Sequence, residues 1–266
     1  MKNILLLVHD DAGQEARFQA ALDLTRALDG HLDCLDAMPM PVVVGPAGGE
    51  GVAVLVEAER AQEAANRSRL EPRLKAEGVS WNWVEALGYL PTCLIDAART
   101  ADVIVLNRRL DRPDPTDMRY FASNVLSHTR ALVVAVSDSA DGFDAAGTAL
   151  IAWDGSARAM ATVQRAVPLL ALAGEVRIIQ VGQISEEAIP LEDVATYLSR
   201  HGIHAGVATV ADEGSIAVTI RLAAEKFGAR YLVMGAYSHH PLREALFGGV
   251  TRAMLSACSL PMVLGH

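Results

Sequence analysis

Long apolar runs and paired cysteines are both missing from this 266-residue sequence. No stretch approaches the roughly 20 uninterrupted apolar residues of a membrane-spanning helix, and the apolar run at residues 4–8 is too short for a signal segment. Cys34, Cys93 and Cys258 are scattered and form no CxxC pair, which argues against a disulfide framework or a zinc site. Cys34 and Cys258 lie in apolar patterns and are expected to be buried. We therefore expect a cytoplasmic protein that does not associate with membranes.

A concentrated patch of positive charge is missing as well. The formal net charge is −9, from 23 lysines and arginines against 32 acidic residues. Such a charge repels nucleic-acid phosphates and anionic lipids unless a local basic patch overcomes it. Nucleic acid is therefore not an expected partner. With 51% hydrophobic and 21% charged residues, the composition is that of a globular protein.

What the sequence does contain is an internal repeat. A shift of 144 residues places Asp10 on Asp154 and keeps the first three elements of the two copies in line without a gap. The ends of the copies match at the smaller shifts of 128 and 129, so the first copy carries extra residues in its middle. These fall around the Pro- and Gly-rich segment 39–51 and the helix-like run towards Lys75. We interpret the segment as a loop; a lid, or a contact of its valines with the other copy or another chain, remains an alternative.

Each copy alternates continuous apolar strands with amphipathic helices, which indicates a parallel sheet covered on both faces. The first strands are predicted at residues 4–8 and 149–153, and each is followed by a helix that stops at Gly30 or near Gly174 and then by a second strand. The other strands are predicted at residues 81–85, 103–106 and 132–136 of the first copy and at 205–210, 231–234 and 261–264 of the second. A polar junction at residues 137–147 is typical of a linker. The sequence thus predicts two tandem doubly wound α/β domains, residues 1–138 and 146–266, each with a five-stranded parallel sheet.

Strand ends are the places to look for ligand chemistry, because open parallel sheets bind ligands beyond the carboxyl ends of their strands. In the second copy the first strand ends at Trp153 and Asp154, and the fourth ends at Gly235. Gly235 would let a ligand approach the backbone closely. Asp154 could accept hydrogen bonds from ribose hydroxyls or an adenine amine, or it could cap the following helix.

A second feature of the same copy is the start of its last helix. Gly248 and Gly249 directly precede a predicted helix whose first turn includes Val250 and Thr251. Free amides at a helix start bind phosphate. Thr251 could cap this helix or donate to a phosphate oxygen, and Ser238 could donate from the other side. These residues indicate a phosphate-binding loop.

Other polar residues of this loop carry less information. His239 and His240 are interpreted as solvated loop histidines, because no Cys/His/Asp cluster with ligand spacing accompanies them. Arg243 and Arg252 could balance the charge of a triphosphate, and surface ion pairs would explain them equally well. No metal site is predicted.

The pattern of an Asp after the first strand and Gly-x2-Gly-x9-Gly-Ser/Thr after the fourth resembles the nucleotide-binding signature of the universal stress proteins. Gly235, Ser238 and Gly248 stand at its three glycine positions. Ser238 replaces the middle glycine, and Gly249 stands where the family usually has Ser or Thr. In the first copy Asn107 is in line with Gly235, and the segment that follows lacks these glycines. The first copy is therefore expected to have lost its nucleotide site.

The resemblance covers nearly the whole chain and implies a strand order of 3-2-1-4-5 in each domain. It also implies that the two copies pack through their last strands as an intramolecular pseudo-dimer, while a homodimer of whole chains remains possible. The second copy would bind ATP, with Mg²⁺, through Ala152, Trp153, Asp154, Val181, Met234, Gly235, Ser238, Gly248, Gly249, Val250 and Thr251.

The functional hypothesis is a cytoplasmic stress-response protein that binds an adenine nucleotide and acts by signalling or protection. Enzymatic turnover is not expected, because the sequence offers no nucleophile paired with a base, no Walker lysine and no acidic metal cluster. The alternative is an interaction module in which both nucleotide sites are lost and the pseudo-dimer recruits unknown protein partners. An ATP-using ligase or hydrolase is disfavoured, because no sequence remains for a substrate domain.

Overall fold

The computed structural model describes residues 1–38, 49–108, 125–126, 128–236 and 249–266, apart from the side chains of residues 49–55 and 59. Its strands are β1 Asn3–Val8, β2 His31–Met38, β3 Ser80–Leu87, β4 Val103–Asn107, β5 Leu132–Val136, β6 Thr148–Trp153, β7 Glu175–Val181, β8 Ala205–Val210, β9 Ala229–Gly235 and β10 Met262–Gly265. Its helices include α1 Gln14–Ala27, α2 Gly49–Ala76, α3 Leu90–Ala97, α4 Ala157–Leu170, α5 Leu191–Arg200, α6 Ile216–Lys226 and α7 Gly249–Ala257.

The described strands form a single sheet in the order β3-β2-β1-β4-β5-β10-β9-β6-β7-β8. Numbered within its own half, each set of five strands has the order 3-2-1-4-5, and its pairings are parallel. The predicted fold class and strand order are therefore confirmed. In both halves the order reverses between the first strand and the fourth, which is where a doubly wound sheet opens a crevice.

The two halves are joined through their last strands. β5 and β10 pair antiparallel, with Val134 opposite Val263 and Val133 opposite Leu264. Every residue of both strands is buried. The join therefore gives each half a neighbour along a strand edge that would otherwise be unpaired.

The core lies on both faces of this sheet and continues through the join. Ile4 and Leu6 of β1 pack on one face and Leu5 on the other, because successive side chains of a strand point to opposite faces. The first face also contains Val263, and the second contains Leu264, so residues of both halves share each layer. Cys34 and Cys258 are buried, as predicted.

Two helix boundaries differ from the sequence-based expectation. Helix α1 ends at Ala27 and not at Gly30, whose amide instead bonds back to the carbonyl of Thr25. Residues 39–48 of the predicted loop lie outside the described residues, but Gly49 already begins α2, so the last three residues of that segment are helical. None of the helices in the described ranges combines the length and apolar character needed to cross a bilayer.

Candidate functional site

A cavity of about 340 Å³ lies in the second half, at the carboxyl ends of β6 and β9. These strands are neighbours in the sheet and form the point where the strand order reverses. The cavity is bounded by predicted nucleotide-binding residues, namely Ala152, Trp153, Asp154, Val181, Met234, Gly235, Gly249, Val250 and Thr251. The other two predicted residues, Ser238 and Gly248, lie outside the described residues, as do His239, His240 and Arg243.

An apolar wall forms one side of this cavity. Ile179 of β7 and Ile216 and Ile220 of α6 line it together with Val181 and Met234. Sequence reasoning missed the three isoleucines. The order 3-2-1-4-5 carries the signal for Ile179, because it places β7 directly beside β6 and so brings its carboxyl end to the crevice. The wall suits a flat ligand with an apolar face.

Gln183 and Ile184, which follow β7 after Gly182, also line the cavity and were missed. They belong to the segment between β7 and α5, and Ile184 lies close to Gly155. Gly155 has φ +73°, and a Cβ placed there would lie 3.0 Å from Cδ1 of Ile184. The turn after β6 therefore packs tightly against the segment that closes this side of the cavity.

Asp154 is exposed at the end of β6, and its Oδ1 accepts a hydrogen bond of 3.0 Å from the amide of Ser156. The helix cap is Ser156, whose Oγ accepts from the amide of Ala159 at 3.1 Å. The alternative that Asp154 caps α4 is therefore wrong. Trp153 is buried, and its Nε1 donates to the carbonyl of Ile189 at 3.0 Å, which ties the end of β6 to the segment before α5.

The two described glycines of the cavity differ in their surroundings. A Cβ on Gly235 would lie 2.9 Å from the backbone nitrogen and 3.0 Å from the Cα of Ala159. The absence of a side chain at Gly235 is thus required by the packing of α4 on β9, with or without a ligand. A Cβ on Gly249 would meet no described heavy atom within 4 Å. Gly249 begins α7, and Thr251 in its first turn is buried beside the cavity.

Residues 130–265, just over half of the chain, match the model of the universal stress protein family. The chain belongs to this family. A solved universal stress protein from Archaeoglobus fulgidus DSM 4304 is 15% identical with a TM-score of 0.74, over 99% of this chain and 97% of that one. The cytoplasmic domain of a prokaryotic cation chloride cotransporter is 13% identical with a TM-score of 0.52, over 99% of this chain and 94% of that one. At these identities the structures show a shared fold. A search of curated proteins found no match.

In the first half of this universal stress protein, an arginine lies across the strand ends. Arg17 of α1 is fully buried, and its guanidinium donates to the carbonyls of Leu7 at 3.1 Å and His9 at 3.0 Å. Its Nη1 also donates to both carboxylate oxygens of Asp11, at 2.9 and 3.1 Å. A buried guanidinium needs such a complete set of acceptors, because an unpaired buried charge is very costly.

The same guanidinium reaches the end of β4. Arg17 donates to Oδ1 of Asn107, the residue in line with Gly235, and Nδ2 of Asn107 donates to Asp138 at 2.7 Å. A Cβ on Gly13, at the start of α1, would collide with the Asn107 side chain. In the first half the glycine therefore lies at the start of the helix and the larger residue at the end of the strand, whereas in the second half the glycine, Gly235, lies at the end of the strand. The polar network therefore occupies the crevice between β1 and β4 of the first half.

Asp10, the counterpart of Asp154, is also engaged within the protein. Its Oδ1 lies 2.6 Å from Nη2 of Arg69 on α2. Asp154 has no such ion pair among the contacts of the described residues, and it borders the cavity. Within the described ranges, no group of three or more His, Cys, Asp or Glu side chains is arranged to hold a metal ion.

Proposed function

We propose that this universal stress protein binds ATP, with Mg²⁺, in the cavity of its second half, and that it acts in the cytoplasm by signalling or protection. The proposal rests on one observation: an apolar wall and the start of a helix line the same cavity. The wall formed by Ile179, Ile216 and Ile220 suits an adenine ring, and the start of α7 at Gly249 suits phosphate. The exposed carboxylate of Asp154 stands at the same crevice, where it could accept a hydrogen bond from a ribose hydroxyl.

Gly249→Trp is expected to abolish nucleotide binding while the protein stays folded. A Cβ on Gly249 would meet no described heavy atom within 4 Å, so we expect the indole to fit without a clash with the described backbone and to occupy part of the cavity that Gly249 lines. The matched control is Gly249→Ala, whose single methyl group meets no described heavy atom within 4 Å and should leave binding unchanged. Calorimetric titration with ATP and Mg²⁺ measures both, and we expect one nucleotide per wild-type chain. A wild-type protein that takes up no ATP or ADP would refute the proposal.

The proposed role excludes rapid ATP hydrolysis. Purified protein saturated with ATP should release phosphate at no more than a few turnovers per hour, because none of the described groups around the cavity forms a nucleophile and base pair. Steady turnover at many cycles per minute, lost in Gly249→Trp, would contradict this part of the proposal.

The second candidate is an interaction module that binds no nucleotide. It is favoured by the first half, where Arg17 and Asn107 already fill the crevice between the strand ends. On this alternative the second cavity would also stay empty in the cell. Mass spectrometry of small molecules released by denaturing freshly purified protein separates the two, because stoichiometric nucleotide supports the first and an empty protein supports the second.

A further inference from the structure

A second cavity, of about 490 Å³, lies in the first half between α2 and the carboxyl ends of β2 and β3. Asp36 of β2 and Glu63 of α2 line it, together with the apolar side chains of Met38, Ala86 and Leu87. Its volume falls in the range of small-molecule pockets and far exceeds the roughly 30 Å³ that one water occupies. The nucleotide proposal does not involve this cavity.

The two acidic side chains are buried without full hydrogen bonding. The exposed fraction is 6% for Asp36 and 2% for Glu63. Oδ1 of Asp36 and Oε2 of Glu63 have no hydrogen-bond partner among the described residues. Carboxylate oxygens only accept hydrogen bonds, and a buried acceptor without a donor is destabilising. The indole Nε1 of Trp83 lies near the Asp36 carboxylate but completes no hydrogen bond with the described residues. One oxygen of each carboxylate therefore lacks a donor.

The neighbouring cationic groups do not supply these donors. Arg67 donates through Nε to Glu71 at 2.8 Å and through Nη1 to Glu85, and its guanidinium lies 5.3 Å from the centre of the Trp83 ring. The imidazole Nδ1 of His9 lies 3.3 Å from Glu63, but on the other carboxylate oxygen, Oε1. The buried end of the cavity, at Asp36 and Glu63, is therefore acidic. Arg67 already donates to Glu71 and Glu85, and Arg60 is exposed.

We propose that this cavity binds the ammonium group of a small organic amine at Asp36 and Glu63. An ammonium group has three donors and a positive charge, so it can donate to the two carboxylates and offset the repulsion between them. The alkyl part of such a ligand would contact Met38, Ala86 and Leu87. A metal ion fits less well, because the described residues present no cluster of three or more metal-ligating side chains, and one ion would leave most of the cavity unfilled.

The amine class is tested by titrating the whole protein with n-butylamine, 1,4-diaminobutane and leucine, each followed by calorimetry and by the shift in thermal midpoint. At least one should bind in the millimolar range or tighter and raise the midpoint. Tightest binding of leucine would show that the ligand also carries a carboxylate, with the exposed Arg60 at the cavity as its partner. Binding of Mg²⁺, Ca²⁺ or Mn²⁺ with no response to any of the three amines would overturn the proposal.

Two variants distinguish a ligand-binding role of Asp36 and Glu63 from a role in stabilising the fold. Asp36→Asn and Glu63→Gln should each weaken amine binding by at least about tenfold. Neither should lower the thermal midpoint of the unliganded protein, because a neutral amide of the same shape removes a buried charge. Glu57→Gln, on an exposed position of the same helix, should change neither property. Unaltered amine affinity in both buried variants would show that the amine binds elsewhere and would also overturn the proposal.

Binding should further depend on pH. Burial and the neighbouring Glu63 carboxylate raise the pKa of Asp36 to about 6. Protonation of Asp36 removes the charge that the ammonium group needs, so affinity should be about tenfold weaker at pH 5 than at pH 8. The other ionisable groups at the cavity are His9 after β1, Glu63, Arg60 and Arg67 on α2 and Glu85 on β3. Asp36→Asn should flatten this dependence, and a profile as steep as that of the wild type would contradict the role of Asp36.

Discussion

Replacing Arg17 with methionine is expected to lower the free energy of unfolding by about 3–5 kcal/mol, the cost of breaking a buried ion pair. The change removes every donor that the guanidinium provides, and it leaves the Asp11 carboxylate and the carbonyls of Leu7 and His9 without them. Methionine fills much of the volume of the arginine side chain, so the lost stability comes chiefly from the missing hydrogen bonds and ion pair. Urea denaturation measures the effect, which should lower the transition midpoint without changing the m-value.

Arg69→Met is the matched control for this experiment. Arg69 also pairs with an aspartate, Asp10, but its side chain is 60% exposed. Exposed ion pairs contribute about 0–1 kcal/mol, so this variant should remain close to the wild type in stability. Equal destabilisation by the two substitutions would show that the Arg17 network does not hold the strand ends of the first half together.

Gly235→Ala is expected to destabilise the protein by about 1–3 kcal/mol, the usual cost of inserting an extra group into a packed region. The added Cβ would lie 2.9 Å from a backbone atom of Ala159, and a helix backbone cannot move aside as a flexible side chain can. Thermal or urea unfolding in the absence of ligand measures the cost. Because no nucleotide is present in this experiment, a loss of stability measures the packing cost at Gly235 and not the loss of a ligand contact.

Gly249→Ala makes the same chemical change on the same cavity wall. Its Cβ meets nothing within 4 Å among the described residues, and alanine favours helix over glycine, so we expect unchanged or slightly raised stability. If Gly235→Ala were as harmless as Gly249→Ala, the requirement for glycine at the end of β9 would have to come from the ligand.

The fold was predictable because its signals are local and repeated. The apolar runs at residues 4–8 and 149–153 are nearly the strands β1 and β6, since strands covered on both faces are apolar throughout. The predicted strand boundaries were less accurate where a polar residue interrupts the apolar run. The predicted start of β9 at Tyr231 falls two residues late, because Arg230 is exposed within the strand. The strand order came from the family resemblance and not from the pattern.

The site was predictable only in part. Residues at the ends of β6 and β9 follow from the rule that ligands bind where the strand order reverses. Ile216 and Ile220 could not be found in this way, because they reach the cavity from a helix that follows β8 at the far edge of the sheet. Arg17 is similar. Its sequence position indicates a charged residue on a helix, while its burial depends on Asn107, which is distant in sequence.

The antiparallel pairing of β5 with β10 has a consequence for how the two crevices can differ. Two identical chains joined through the same strands would carry every substitution twice, so a residue that fills one crevice would fill both. Here the two halves are separate stretches of one chain, so their sequences can differ. One crevice can therefore hold a stabilising network around Arg17 while its counterpart stays open to a ligand. A single substitution can then alter one crevice and leave the other unchanged.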